Sequence, residues 1–254
     1  MSDRNHSDDA ILVADKLTKR FGAFVANKDI SVRFQRGKLT SIIGPNGAGK
    51  STLFNVLSGS LKPTAGTVFA LGRDVTRLPQ HRITRLGVAK SFQITSVFPQ
   101  LTVEDNVRIA LQGMGSRFDF WTKRAGMRAQ IEQAREILHL VGLGDRFDRN
   151  AGTLAHGEQR SLEIAMALAS NPRALLLDEP TAGMSPEETR GMMDLILRLA
   201  QAQTVVLVEH KMKLIMGVSD RIVVLHHGEK IADGAPAEIR ANAEVRRVYL
   251  GEEA

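Results

Sequence analysis

The segment GPNGAGKST, residues 44–52, follows the short apolar run Leu39–Ile43 and leads directly into the helix-forming stretch LFNVLSG. A strand that ends in glycines and passes at once into a helix leaves few folds open, and the G-x-x-x-x-G-K-[ST] spacing stands here in the strand-to-helix context that this pattern requires. Glycines let consecutive backbone N–H groups turn toward a single anion, and the helix start adds the positive end of its dipole. Lys50 is then placed to reach the terminal phosphates of a nucleotide, and Ser51 to hold Mg²⁺. The nucleotide-contacting set read from this segment is Gly44, Pro45, Asn46, Gly47, Ala48, Gly49, Lys50, Ser51 and Thr52, with Lys50 also assigned to catalysis.

The surrounding pattern predicts an α/β fold. Residues 11–34 read as two strands about a turn, because Ile30, Val32 and Phe34 alternate with Ser31, Arg33 and Gln35. Runs 174–177, Thr204–Val208 and 222–225 are almost continuously apolar, as strands buried on both faces are. Helical patterns such as 186–200 alternate with them, which predicts a largely parallel sheet. From about residue 94 to 160 the pattern turns helical, with Ile131, Ala134, Leu138 and Val141 on one stripe and Glu132 and Arg135 off it. The expected organisation is a polar tail over 1–10, a core from 11–93 and 160–240, an inserted helical subdomain over 94–159 and a C-terminal segment over 241–254. Within the insertion, 112–127 carries glycines, mixed charge and the single tryptophan, and reads as a loop or short helices with no assigned role.

A second element points to the same chemistry. ALLLDEP, residues 174–180, ends a buried strand in two acids, placing Asp178 at the carboxyl edge of the sheet, where ligands bind in open α/β folds. Asp178 is there expected to orient Mg²⁺ and Glu179 to polarise a water for attack on the γ-phosphate. Composition removes several alternatives. With no cysteine, disulfides and thiol catalysis are excluded and a zinc site is disfavoured. The first ten residues are polar and no run approaches the roughly 18 apolar residues of a membrane span, so a cytoplasmic protein is expected. The net charge of +6 comes from scattered Lys and Arg rather than basic runs interleaved with aromatics, so no nucleic-acid partner is expected.

Taken together, these residues resemble the nucleotide-binding subunit of ABC transporters over nearly the whole chain from Ile11. The resemblance implies a P-loop ATPase with a RecA-like core, an antiparallel β subdomain and an inserted α-helical subdomain. It also implies that LAHGEQ, residues 154–159, is the signature loop that completes the ATP site of a second, head-to-tail copy. Ala155, His156, Gly157 and Glu158 would then contact that copy's nucleotide. The family's usual Leu-Ser-Gly-Gly-Gln is altered, with Ala155 and His156 where serine and glycine commonly stand; loss of the hydroxyl contact costs about 1 kcal/mol net. Backbone N–H groups around Gly157 and the helix dipole remain for the anion, and His156 either replaces part of the lost contact or packs beside the loop. By the same resemblance Gln93 contacts the metal and couples the helical subdomain to the membrane partner. His210, ending TVVLVEH, touches the γ-phosphate and orients the attacking water, and Phe21 either stacks on adenine or belongs to the core. The segment AGMSPEE, 182–188, matches the D-loop region. Its second half also has a local explanation, with Ser185 as N-cap, Pro186 at the first helical position and Glu188 closing a capping box.

Several details are similar to the ATPase subunits of branched-chain amino-acid uptake systems and their amide and urea relatives: the His-Gly-Glu-Gln signature, LEIAMALA, DEPTAGMSPEET, VEHKM and the tail GAPAEIRANAEVRRVYLGEE. Lipopolysaccharide-export ATPases share parts of this layout, and a non-transport ABC ATPase acting on nucleic acid is the alternative from another class. The branch resemblance implies a homodimer or a heterodimer with a related ATPase subunit, two membrane permease subunits and, indirectly, a periplasmic substrate-binding protein. It places the chain on the inner face of the plasma membrane as a peripheral subunit, with ATP and Mg²⁺ as ligands.

Overall fold

The structure is a computed structural model that describes residues 9–91, 97–114 and 125–250. β1 (Ala10–Phe21) and β2 (Phe24–Gln35) form the expected antiparallel hairpin. The alternation in β2 sorts as read, with Ile30, Val32 and Phe34 buried and Ser31, Arg33 and Gln35 exposed. β3 (Leu39–Ile43) then leaves for a second sheet, while β4 (Ala65–Ala70) and β5 (Arg73–Asp74) complete the first in the order β2-β1-β4-β5. The second sheet adds β6 (Val88–Lys90), β7 (Ala174–Asp178), β8 (Thr204–Val208), β9 (Arg221–His226) and β10 (Glu229–Gly234). Its order is β10-β9-β3-β8-β7-β6, parallel throughout except for β10.

Every residue of β3, β7 and β8 is buried, and the two-residue period of the strand divides their side chains between two cores. Leu39, Leu175, Leu177, Val205 and Leu207 face a cluster that includes α5 (His156–Leu168) and α6 (Pro186–Ala202). Ile42, Leu176, Val206 and Val208 face the other cluster, shared with α1 (Lys50–Leu57) and the antiparallel sheet. Complete burial of each Val or Leu contributes about 1.5–3 kcal/mol, whereas an exposed ion pair contributes about 0–1 kcal/mol. The sheet therefore fixes the loops at its carboxyl edge, and the surface charges do not.

α2 (Gln80–Leu86) precedes β6, and the helical stretch contains α3 (Val103–Met114) and α4 (Ala125–Leu140). Ala134, Leu138 and Val141 are buried as the stripe predicts, Ile131 is half-buried, and Glu132 and Arg135 are exposed. The ends of 112–127 belong to these two helices rather than to a separate insertion, and 115–124 lie outside the described residues. α5 runs continuously through residue 160, so the helix that carries the 154–159 stretch at its start goes on to pack against β6 and α6. α7 (Met212–Met216), α8 (Pro236–Ala241) and α9 (Ala243–Leu250) close a third cluster through Ile215, Ile239 and Val245 against Ile43, Ile222 and Val224. Among the described residues no helix is long and apolar enough to cross a membrane.

Candidate active site

β3 lies between β8 and β9, and at its end the chain turns through Gly44 into the phosphate loop. Close packing dictates the glycines at two points. A Cβ on Gly44 would stand 2.2 Å from the Leu225 carbonyl oxygen, and one on Gly49 would stand 2.4 Å from the Ala26 carbonyl oxygen, at a φ of 94°. The buried Asn27 of β2 donates from Nδ2 to the Gly49 carbonyl at 3.1 Å, and the Gly228 amide donates to the Ala48 carbonyl at 3.1 Å. The first bond inside α1 runs from the Leu53 amide to the Gly49 carbonyl at 2.9 Å, so the amides of Ser51 and Thr52 precede the helical ladder and are available to an anion. Lys50 is buried and donates to the Gly44 and Pro45 carbonyls at 2.7 and 2.8 Å. Asn46 and Gly47 are exposed at the crown of the loop, and Ser51 and Thr52 are half-buried on the first turn of α1.

β8 lies between β3 and β7, so Asp178 and Glu179 leave the sheet on the same edge as the loop. Asp178 is buried, and among the described residues neither of its carboxylate oxygens has a hydrogen-bond partner. Burial pushes its carboxyl above the usual carboxylate range, opposed by the nearby amine of Lys90 and, more weakly, by Arg160 and Lys50. A buried carboxylate with two unmatched oxygens beside a phosphate loop fits a hard divalent cation, which takes oxygen ligands and completes its shell with water and phosphate. No cluster of three or more His, Cys, Asp or Glu side chains occurs among the described residues, so of these residues a cation here would take Asp178 and Ser51, together with its substrate. Glu179 adopts a left-handed backbone, φ 44°, held by its amide on the Val208 carbonyl at 2.9 Å, and its side chain makes no hydrogen bond or ion pair with the described residues. Such a conformation costs of order 1–3 kcal/mol in a non-glycine residue and persists where the surroundings enforce it.

Past β8 the fully buried Glu209 accepts from the Thr181 hydroxyl at 2.6 Å, the Thr181 amide at 3.2 Å and the His210 amide at 3.3 Å. His210 itself is half-exposed, with Nδ1 3.9 Å from the Glu209 carboxylate. The strap from Glu209 to Thr181 thus ties the segment after Glu179 to the segment carrying His210. Glu209, Thr181, Asn27 and Lys90 were not assigned a role from sequence. Lys90 ends β6, hydrogen-bonds Asn55 Oδ1, and has its amine pushed below the usual lysine range by burial. Two of the four did carry a signal: Asn27 is a polar side chain in a mainly inward-facing stretch, and Glu209 is an acid abutting an all-apolar strand.

Phe21 stands at the tip of the β1–β2 hairpin opposite Phe24, 48% and 64% exposed respectively, with the Lys19 amine 5.0 Å above its ring centroid. It is not a core residue. Asn27 follows three residues beyond Phe24, about 10 Å along the strand at ~3.4 Å per residue, which relates the exposed rings to the phosphate loop. Gln93 lies outside the described residues.

The 154–159 stretch starts α5 as expected, with Ala155 at the N-cap. Alanine has no acceptor to offer the first turn. Only half of a capping box forms, from the Ala155 amide to Glu158 Oε2 at 3.0 Å, and the other Glu158 oxygen accepts from Arg146 at 3.2 Å. His156 Nε2 lies 3.0 Å from the Ala182 carbonyl, and the Gly157 amide donates to Glu188 Oε1 at 3.4 Å. The start of α5 is therefore bonded to 182–188 of its own chain rather than to its own phosphate loop.

Residues 27–182 match the family profile described as ABC transporter, and 229–254 match the one described as branched-chain amino acid ATP-binding cassette transporter. The chain is 41% identical over 250 residues to the high-affinity branched-chain amino acid transport ATP-binding protein BraF of Pseudomonas aeruginosa, covering 95% of this chain and 98% of that protein. Its structure is similar to the ADP conformation of an ATP-binding cassette of an ABC transporter, with a TM-score of 0.85 and 30% identity, covering 95% and 99% of the two chains. A dimeric ATP-binding cassette in a post-hydrolysis state bound to ADP and Pi is also similar, with a TM-score of 0.76 and 28% identity over 89% and 98%.

Proposed function

The chain belongs to the ABC transporter family of ATP-binding cassettes, and from that premise we propose that it is the ATP-hydrolysing subunit of a branched-chain amino-acid importer. The observation that carries this reading is the convergence of three strand ends on one sheet edge: the 44–52 loop after β3, Asp178 and Glu179 after β7, and Glu209 and His210 after β8. Similarity to BraF over nearly the full length, and the C-terminal match over 229–254, support the amino-acid branch over lipopolysaccharide export.

ATP is the substrate. Its phosphates take the amides at the start of α1, and Lys50 exchanges its two loop carbonyls for phosphate oxygens. Mg²⁺, held by Asp178, Ser51 and Gln93, would supply neutralisation of charge on the phosphates. Glu179, held by its strained backbone, orients the attacking water, and His210, steadied by Glu209, contacts the γ-phosphate. Phe21 presents an exposed face for adenine to stack on. Residues 155–158 of a second copy, identical or related, complete each site from across a dimer. Closure of the dimer moves two permease subunits through Gln93 and the helical segment, and a periplasmic binding protein delivers the amino acid. The subunit works as a peripheral protein on the inner membrane face.

The test is the Glu179→Gln variant, followed by light scattering during size-exclusion with and without ATP and Mg²⁺. Removing the carboxylate that orients water is expected to trap an ATP-dependent dimer. A chain that binds ATP yet stays monomeric would overturn closure by this chain alone. Stimulation of ATPase activity by leucine, in vesicles holding the permease and the leucine-loaded binding protein, tests the cargo.

A further inference from the structure

The start of α5 has the properties of an anion site, but in this chain an anion already occupies part of it. Ala155 offers its first turn no side-chain acceptor, which leaves the early amides to outside partners. One of them, the Gly157 amide, donates to Glu188 Oε1 at 3.4 Å. The other oxygen of the same carboxylate accepts from the Ser185 amide at 2.9 Å, while the Glu188 amide donates to Ser185 Oγ at 3.2 Å. Glu188 thus closes the capping box of α6 and bridges to α5. Hydrogen bonding to Ser185, and then the Gly157 amide and His156, hold its carboxyl below the usual range, so it is ionised at neutral pH. The approach is tight enough that a Cβ on Gly157 would stand 3.0 Å from Glu188 Oε1. Beside it His156 bonds the Ala182 carbonyl at 3.0 Å, fastening the same two segments a second time.

We propose that Glu188 is a resident anion on the start of α5, which the terminal phosphates of a second copy's ATP must displace, and that it thereby sets the ATP concentration at which two copies close. The inference rests on the dimer reading above. A carboxylate and a polyphosphate compete for one amide and repel each other across it, so the charge of Glu188 opposes closure even while its hydrogen bonds order both helix starts. It touches none of residues 44–52, so it acts on assembly and not on the chain's own grip on ATP. Glu188 is accordingly a positioning residue.

The experiment uses the full chain in the Glu179→Gln background and reads, by light scattering, the ATP concentration giving half-maximal dimer. Glu188→Gln keeps an acceptor suited to the capping box and removes the charge. It is expected to lower the half-maximal ATP concentration about three- to tenfold, the scale of one modest hydrogen bond, while leaving the ATP affinity of the monomer unchanged. Glu188→Asp, one methylene shorter, keeps the charge but draws it away from Gly157, and is expected to shift the midpoint less in the same direction. Glu187→Gln, which removes the neighbouring exposed charge, and Arg190→Gln, which removes the cation beside it, are expected to leave it in place. A midpoint unmoved or raised by Glu188→Gln overturns the inference, and so does an equal drop in either control. Failure of the parent to dimerise with ATP overturns the dimer reading and this inference with it, whereas an ATP-dependent parent dimer indifferent to Glu188→Gln overturns this inference alone.

Discussion

Replacing Thr181 with valine tests the strap between the segments that carry Glu179 and His210. Thr181 and Glu209 are both 0% exposed, and their hydroxyl-to-carboxylate bond at 2.6 Å is the shortest of the three that Glu209 accepts. Valine nearly matches threonine in shape and removes only the hydroxyl, so the substitution leaves the buried carboxylate with two backbone donors at 3.2 and 3.3 Å. A hydrogen bond to a charged group contributes about 1.5–3 kcal/mol, and water cannot replace the lost donor at a site closed to solvent. A loss of about 2–3 kcal/mol follows. At about 2–4 °C per kcal/mol for a chain of this size, the melting temperature should fall about 4–12 °C. Catalysis should suffer as well, because Thr181 follows Glu179 by two residues and Glu209 immediately precedes His210. If about 1.4 kcal/mol of that positioning acts in the transition state, kcat drops about tenfold, with KM for ATP unchanged because Lys50 and its loop are untouched. Differential scanning calorimetry and steady-state ATPase assays measure both, and Thr181→Ser, which keeps the hydroxyl, should preserve most of the activity. A valine variant that melts within about 1 °C of the parent, or one that raises KM without lowering kcat, would refute the strap.

Asp178→Asn should separate stability from function. Burial raises the Asp178 carboxyl, so its ionised form costs stability at neutral pH, and the amide should raise nucleotide-free stability by about 1 kcal/mol while abolishing Mg²⁺-dependent hydrolysis. That gain should be present at neutral pH and vanish as the pH falls through the raised carboxyl pKa toward the usual aspartate range, where the parent's Asp178 is itself protonated; melting scans across pH read the sign. Asn27→Ala removes the 3.1 Å support under Gly49 and should weaken ATP binding up to about tenfold, read by titration with a fluorescent ATP analogue.

How much was legible in the sequence follows the range of the interactions involved. The loop at 44–52, the alternation of Ile30, Val32 and Phe34, and the Ser185 cap of α6 are written in neighbouring residues, so period and spacing find them. β6 has three residues and β5 two, too short for any period to register, and β10 is a half-exposed edge strand without an apolar signature. Within the candidate site, the residues proposed for phosphate chemistry stand in motifs, but those that hold them in place act across 22 residues from Asn27 to Gly49 and 28 from Thr181 to Glu209. The contact between Gly157 and Glu188 spans 31. Such pairs have no local pattern to betray them: Thr181 and Glu209 meet because β7 and β8 are paired, Asn27 and Gly49 because the antiparallel sheet packs beside the loop, and Gly157 and Glu188 because two helix starts adjoin. The absent acceptor at Ala155 gains its meaning in the same way. From the sequence it is a missing hydroxyl in a signature loop. Folded, it is an uncapped helix start whose Gly157 amide has been taken up by a carboxylate from the next helix, so the consequence of losing the serine is decided at Glu188 as much as at residue 155 itself.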